Sequence, residues 1–169
     1  MTHPMYSASV PVFKQMLTAL SELLKKAEVH VTEKNIDPNA LLQGRLALDM
    51  FPLVRQVQIA ADFAKGISSR LAGVDVPSWA DTEVTFDDLQ ALIAKALAYI
   101  GAFEAAQFDG SESKEIVLRP GTPKEKKLAG TAYLYNYGLP QFFFHITTAY
   151  AILRHHGIEI GKRDYMGAY

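Results

Sequence analysis

The chain has 169 residues, with 17 Lys and Arg against 18 Asp and Glu and a formal net charge of -1, so it lacks the cationic excess a nucleic-acid binder uses to neutralise many phosphates. Hydrophobic residues at 49% and charged residues at 21% are the balance of a chain with a sizeable core, which excludes a disordered protein. The absence of cysteine excludes disulfide frameworks, thiolate zinc sites and thiol nucleophiles.

This length predicts one domain spanning residues 1–169. No basic region leads into a continuous apolar stretch near the start, and Lys14 interrupts the first candidate, so no signal peptide is expected. No uncharged apolar run reaches the roughly 18 residues of a membrane span. The expectation is a cytoplasmic protein with neither nucleic acid nor membrane as partner.

The first helix is carried by Val10, Phe13, Leu17, Leu20, Leu24, Ala27 and Val31, which alternate steps of three and four while Lys14, Ser21, Lys25 and Glu28 take other faces. Asp37-Pro38 supplies a capping side chain and then the residue best tolerated at the first helical position. A second helical region follows on Leu46, Met50, Leu53, Val57, Ala60, Ala64, Ile67 and Leu71. Pro52 removes one backbone donor and predicts a kink or restart between Asp49 and Pro52, with the straight part ending near Leu71, before Gly73.

Asp75 to Thr85 holds Pro77 and Trp79 and few periodic apolar positions, which predicts a connecting loop that pins its tryptophan on the bundle. Thr85 and Asp88 resemble a capping box for the third helix, whose apolar face is Leu89, Ile93, Ala96, Ile100 and Phe103. From Asp109 to Gly138, glycines and prolines break any helix. Two β-prone runs, Ile116 to Leu118 and Ala132 to Tyr137, predict a small hairpin joined by Arg119 to Lys127. Leu139-Pro140 opens the last helix and Gly157 closes it. The fold class is therefore all-α, a four-helix bundle with a small irregular or β-hairpin insertion before the last helix. Leu17, Leu20, Leu24, Val57, Ala60, Ile100, Ile146 and Leu153 are its expected core. Ile158 to Tyr169 is too apolar for a free tail, and is expected to fold back on the bundle or onto a second subunit.

Candidate chemistry centres on histidine. His3 belongs to a terminal arm; His155 and His156 fall in the last turn of their helix, where a cation suits the dipole, and His30 has the same place in the first helix. His145 differs, because Phe142, Ala149 and Ile152 around it are apolar and turn it inward. Gln141, His145 and Thr148 form a narrow polar stripe on that helix, and a buried polar group requires a hydrogen-bond partner on another helix. Arg55, Gln58, Asp62 and Lys65 form a second stripe. It is either a solvated face carrying an Asp62 to Lys65 pair, or a face that turns Gln58 and Asp62 toward Gln141 and His145 across the bundle; spacing leaves both open. No His-x-x-x-His, Glu-x-x-His, Gly-x-Ser-x-Gly or phosphate-cradling glycine motif occurs, so an ordinary three-histidine metal site, a serine elbow and a nucleotide loop are not expected.

Asp49-Met-Phe-Pro-Leu53, Arg55-Gln-Val-Gln-Ile-Ala-Ala-Asp62, Ala64-Lys-Gly66, Phe144-His145, Ala149-Tyr-Ala-Ile-Leu-Arg154 and Gly161-Lys-Arg-Asp-Tyr165 resemble a bacterial domain-of-unknown-function family of the DinB/YfiT-like superfamily, over nearly the whole chain. The resemblance implies a bundle of up-down-down-up connectivity with one long crossover. It also implies a homodimer and, in many members, a divalent metal held by three histidines. Carried over by position, His145 matches one histidine of the last-helix pair, Gln141 stands where the other would, and the second-helix histidine falls near Gln58, within about one turn. One ligand of three survives, so no metal cofactor is expected. Two functions follow. One is a small-molecule binder or enzyme with a polar pocket of Gln58, Asp62, Gln141, His145 and Tyr150, in which His145 serves as an acid or base. The other is a non-catalytic helical module for dimerisation or partner binding. An open cavity at His145 favours the first and a closely packed, fully bonded His145 the second.

Overall fold

The structure, a computed structural model, describes residues 4–169; His3 lies outside them. A short helix α1 (Pro4–Ser7) precedes the first long one, α2 (Val10–Glu33), and every residue of its predicted stripe is buried. Asp37 caps α3 (Pro38–Leu42), its carboxylate accepting from the Asn39 N–H at 2.9 Å. The second predicted helix does not begin with that cap. Residues 43–52 are irregular, and α4 (Leu53–Ala72) starts anew with Pro52 as its N-cap, so the proline produces a restart rather than a kink. Leu46 and Met50, expected on the helical stripe, lie in the irregular stretch, and Leu46 is exposed. Gly73, with φ 78°, ends α4 in the left-handed conformation.

The loop over residues 75–85 leads to α5 (Phe86–Gly101). Thr85 Oγ1 accepts from the Asp88 N–H at 3.1 Å, and Asp88 Oδ2 accepts from the N–H groups of Val84 and Thr85 at 3.0 and 2.9 Å. These bonds hold the Asp88 carboxyl below its ordinary pKa, that from Val84 most strongly. Trp79 rests on the bundle as expected, with the ammonium groups of Lys65 and Lys95 at 4.4 and 4.5 Å from its ring centre.

After a 3-10 turn (Ala105–Phe108), β1 (Glu115–Leu118) pairs antiparallel with β2 (Lys126–Ala129), Ile116 opposite Leu128. The hairpin exists, but its second strand precedes the one predicted. Ala132 to Tyr137 is helical instead, α6 (Gly130–Ala132) passing into a π-helical turn (Tyr133–Gly138). A helical winding stacks Tyr133 on Tyr137, four residues on, with ring centres 5.9 Å apart and planes at 24°, and buries the neighbours Tyr133 and Leu134 together. A strand would send those two to opposite faces. Gly130 makes the junction possible, since a Cβ there would stand 1.7 Å from the Ser111 carbonyl oxygen.

The last long helix, α7 (Leu139–His155), ends before Gly157 at φ 86°. In the bundle α2 lies against α5 and α7, and α4 lies against α5 and α7, with up-down-down-up connectivity. All eight expected core positions are buried, and Phe13 meets Phe142 edge to face at 4.7 Å. Residues 158–169 fold back: Ile158 and Ile160 are buried, and α8 (Lys162–Met166) docks on α2. Among the described residues, no helix is long and apolar enough to cross a membrane.

Candidate functional site

Two polar residues face each other across the α4–α7 interface, His145 at 8% exposure and Gln56 at 1%. His145 Nδ1 lies 2.7 Å from Gln56 Oε1. The amide is oriented by its own second bond, Gln56 Nε2 donating to the Phe51 carbonyl at 3.0 Å. An amide oxygen can only accept, so Nδ1 carries the imidazole proton and Nε2 keeps a lone pair. Nε2 makes no hydrogen bond among the described residues. Sealed side-chain polar atoms without a partner are limited to Ser68 Oγ among those residues, so Nε2 is not completely sealed within the buried residue.

The imidazole is flanked by rings. Phe63 stacks on it at 5.9 Å and 17°, and the exposed Phe144 meets it edge-on at 5.2 Å. Burial pushes the His145 pKa below its ordinary value, and the nearby Arg55 charge adds to the shift. The group is therefore a neutral imidazole at pH 7, one nitrogen donating inward and the other open.

The remaining expected site residues are distributed differently. Gln58 turns away from His145: its Oε1 accepts from Arg55 at 3.2 Å and its Nε2 donates to Glu83 at 2.8 Å. Arg55 is in turn paired with Asp81. The stripe Arg55, Gln58, Asp62, Lys65 is thus one face, as its spacing requires, but it lies under the 75–85 loop, neither solvated throughout nor turned to His145; Gln58 and Lys65 are each 5% exposed. Asp62 holds Lys65 Nζ at 2.6 Å and borders a separate cavity of about 200 Å³ beside the π turn. Gln141 is half-buried one turn before His145 and makes no hydrogen bond among the described residues. Thr148 Oγ1 donates within its own helix, to the Phe144 carbonyl at 2.7 Å. Tyr150 lies on another face of α7 and packs edge-on against Tyr165 at 5.7 Å.

Gln56 and Phe63 were not among the expected site residues. They share the row Gln56, Ala60, Phe63, Ile67, with steps of four, three and four, beside the apolar stripe. A glutamine in such a row is the signal that marks a partner for an inward histidine. His156 Nδ1, in contrast, donates to the Ile152 carbonyl at 2.8 Å, and His155 and His156 are exposed at the helix end as expected.

These donors do not fit a three-histidine ion site. Gln56 Oε1 is taken by His145, Gln58 is bound to Glu83, and no group of three or more His, Asp or Glu side chains able to hold a metal ion occurs among the described residues.

Over residues 5–166 the chain matches the model of a family described as a domain of unknown function, DUF1993. No curated protein matches it. It is similar to the crystal structure of a DinB family member protein from Shewanella denitrificans, at 41% identity, covering 97% of this chain and 92% of that chain with a TM-score of 0.91. The four-helix fold is common to both.

Proposed function

The chain belongs to the DUF1993 family, and from that premise we propose that it is a small-molecule-binding protein or enzyme whose reactive group is the open Nε2 of His145. The observation that carries this reading is the fixed tautomer. Gln56 holds the proton on Nδ1, so in the neutral ring Nε2 is available to accept a proton or a hydrogen bond. Burial keeps the ring neutral at the pH where a base is needed. Gln141, one turn away with an unengaged amide, supplies a polar contact for a ligand reaching Nε2. Gln58 and Asp62 support the site indirectly, by holding the 75–85 loop and bordering the neighbouring cavity.

The test is the nitrogen spectrum of His145. Long-range 1H–15N correlation is expected to give the Nδ1–H tautomer and a titration midpoint below the ordinary 6.5. Gln56→Leu should leave a mixture of tautomers and cost about 1–3 kcal/mol for the unpaired buried donor. An Nε2–H tautomer, or an imidazolium at pH 7, would remove the lone pair and with it the proposal. Stability follows with a definite sign. The folded-state pKa lies below the unfolded one, so the contribution is complete above about pH 6.5 and is lost as pH falls through the folded value. His145→Gln should flatten that part of the stability profile.

A second reading, a homodimerisation or partner-binding module, is favoured by the exposed Leu48, Phe51 and Phe144, the last two bordering the Gln56–His145 pair. We further propose that neither reading involves a tightly held metal. Elemental analysis of protein prepared without a metal-affinity tag should give zinc, nickel and iron well below stoichiometry. A near-stoichiometric value for any of them would overturn this proposal.

A further inference from the structure

The cavity beside the π turn is built differently from the His145 site, with which it shares the Phe63 ring. It measures about 200 Å³ and opens between α4, the end of β1 and the Tyr133–Gly138 turn. Arg70 and Arg119 both border it, and neither makes an ion pair among the described residues. Arg70 is held in place by neutral acceptors only, its Nη1 donating to the Gly66 carbonyl at 3.2 Å and to the Tyr133 hydroxyl at 3.3 Å. The Asp62 carboxylate on the same rim is already held by Lys65 at 2.6 Å, so that pair adds no net charge and the two guanidinium groups set the sign. The other walls are Phe63, Leu118, Tyr133 and Tyr137.

Two irregularities of the backbone are spent here. Arg119 has φ 51°, in the left-handed region that a residue with a Cβ rarely adopts, and it directly follows β1. The π turn supplies both tyrosines, and such turns are frequent at functional sites. Two unpaired guanidinium groups with aromatic walls match a flat anion with an apolar body. We propose that this cavity binds a small organic carboxylate carrying an aromatic ring, its carboxylate taken by Arg70 and Arg119 and its ring lying among Phe63, Tyr133 and Tyr137.

The probe is benzoate, titrated into the full 15N-labelled chain beside the neutral benzamide and inorganic phosphate. Benzoate should shift the amide resonances of residues 62–63, 118–119 and 133–137, with benzamide and phosphate each binding at least tenfold more weakly. Arg119→Ala changes an exposed position and should weaken benzoate at least tenfold. Gly66→Ala provides a second route: the new methyl would stand 2.7 Å from Arg70 Nη1, with the next nearest atom outside that side chain at 4.0 Å, so it displaces the guanidinium while alanine favours the helix. It should also weaken benzoate at least tenfold in a protein that keeps its dispersed spectrum. Benzamide or phosphate binding as tightly as benzoate would overturn the proposal, as would shifts confined to another surface, no shift at all, or undiminished affinity in both variants.

Discussion

Leu20→Ala is expected to cost about 2–5 kcal/mol, a large part of the roughly 5–15 kcal/mol that holds a domain together. Leu20 has no exposed surface and stands mid-way along α2, the helix that packs on both α5 and α7 and also receives α8. Removing three carbons there forfeits their transfer free energy and leaves a space that the surrounding helices fill only partly. Val29 lies on the same helix at 55% exposure, so Val29→Ala should stay within about 0.5 kcal/mol. Urea denaturation followed by circular dichroism measures both. Equal midpoints for wild type and Leu20→Ala would mean that the stripe does not face the core.

That contrast explains which parts of the fold could be read in advance. The stripes of α2 and α5 repeat at helical spacing, and the end signals at Asp37-Pro38, Thr85-Asp88, Gly73 and Gly157 act within a few residues, so local sequence carries them. Leu46 and Met50 also fit the spacing, but Pro52 lacks the N–H that would join them to the next turn, and the backbone restarts. The run Ala132 to Tyr137 reads as a strand because aromatic residues favour strands in isolation. Here the Tyr133–Tyr137 stack and the Arg70 bond to Tyr133 reward a helical winding, and the second of these depends on α4 lying alongside.

The site divides in the same way. An inward His145 was legible from its apolar surroundings on α7. Its partner was not, because Gln56 and Gln58 stand two residues apart on a helix and so point to nearly opposite sides. Which glutamine meets His145 depends on where the 75–85 loop goes. Asp81 and Glu83 in that loop bind Arg55 and Gln58, and the face bearing Gln56 is left to α7. Periodicity of one helix contains no information about such a loop, whereas the row Gln56, Ala60, Phe63, Ile67 does record a polar residue entering an apolar neighbourhood.

Removing residues 158–169 should lower the melting temperature by about 5–10 °C, on the scale of about 2–4 °C per kcal/mol for a chain of this size. Ile158 and Ile160 are 2% and 6% exposed, and burying each is worth about 1.5–3 kcal/mol before the cost of ordering the segment is subtracted. The polar contacts contribute less but fix the position of α8. Gln15 Nε2 donates to the Met166 carbonyl at 2.9 Å, and the Tyr165 and Thr147 hydroxyls lie 2.9 Å apart. Lys26 meets Asp164 at 2.6 Å, a largely exposed pair worth less than about 1 kcal/mol. The Lys26 bond, with the Gly161 N–H, holds the Asp164 carboxyl below its ordinary pKa, so this part of the docking is complete above about pH 4 and fails as pH falls through the lowered value. Elution volume measured on the same truncated protein separates two roles for the segment. A fall in melting temperature at constant apparent mass assigns it to the stability of one subunit, and a simultaneous shift from dimer to monomer assigns it to the contact between two. Unprotected amides at 158–166 in hydrogen exchange of the intact chain would mean that the segment is not docked, and the truncation should then leave the melting temperature unchanged.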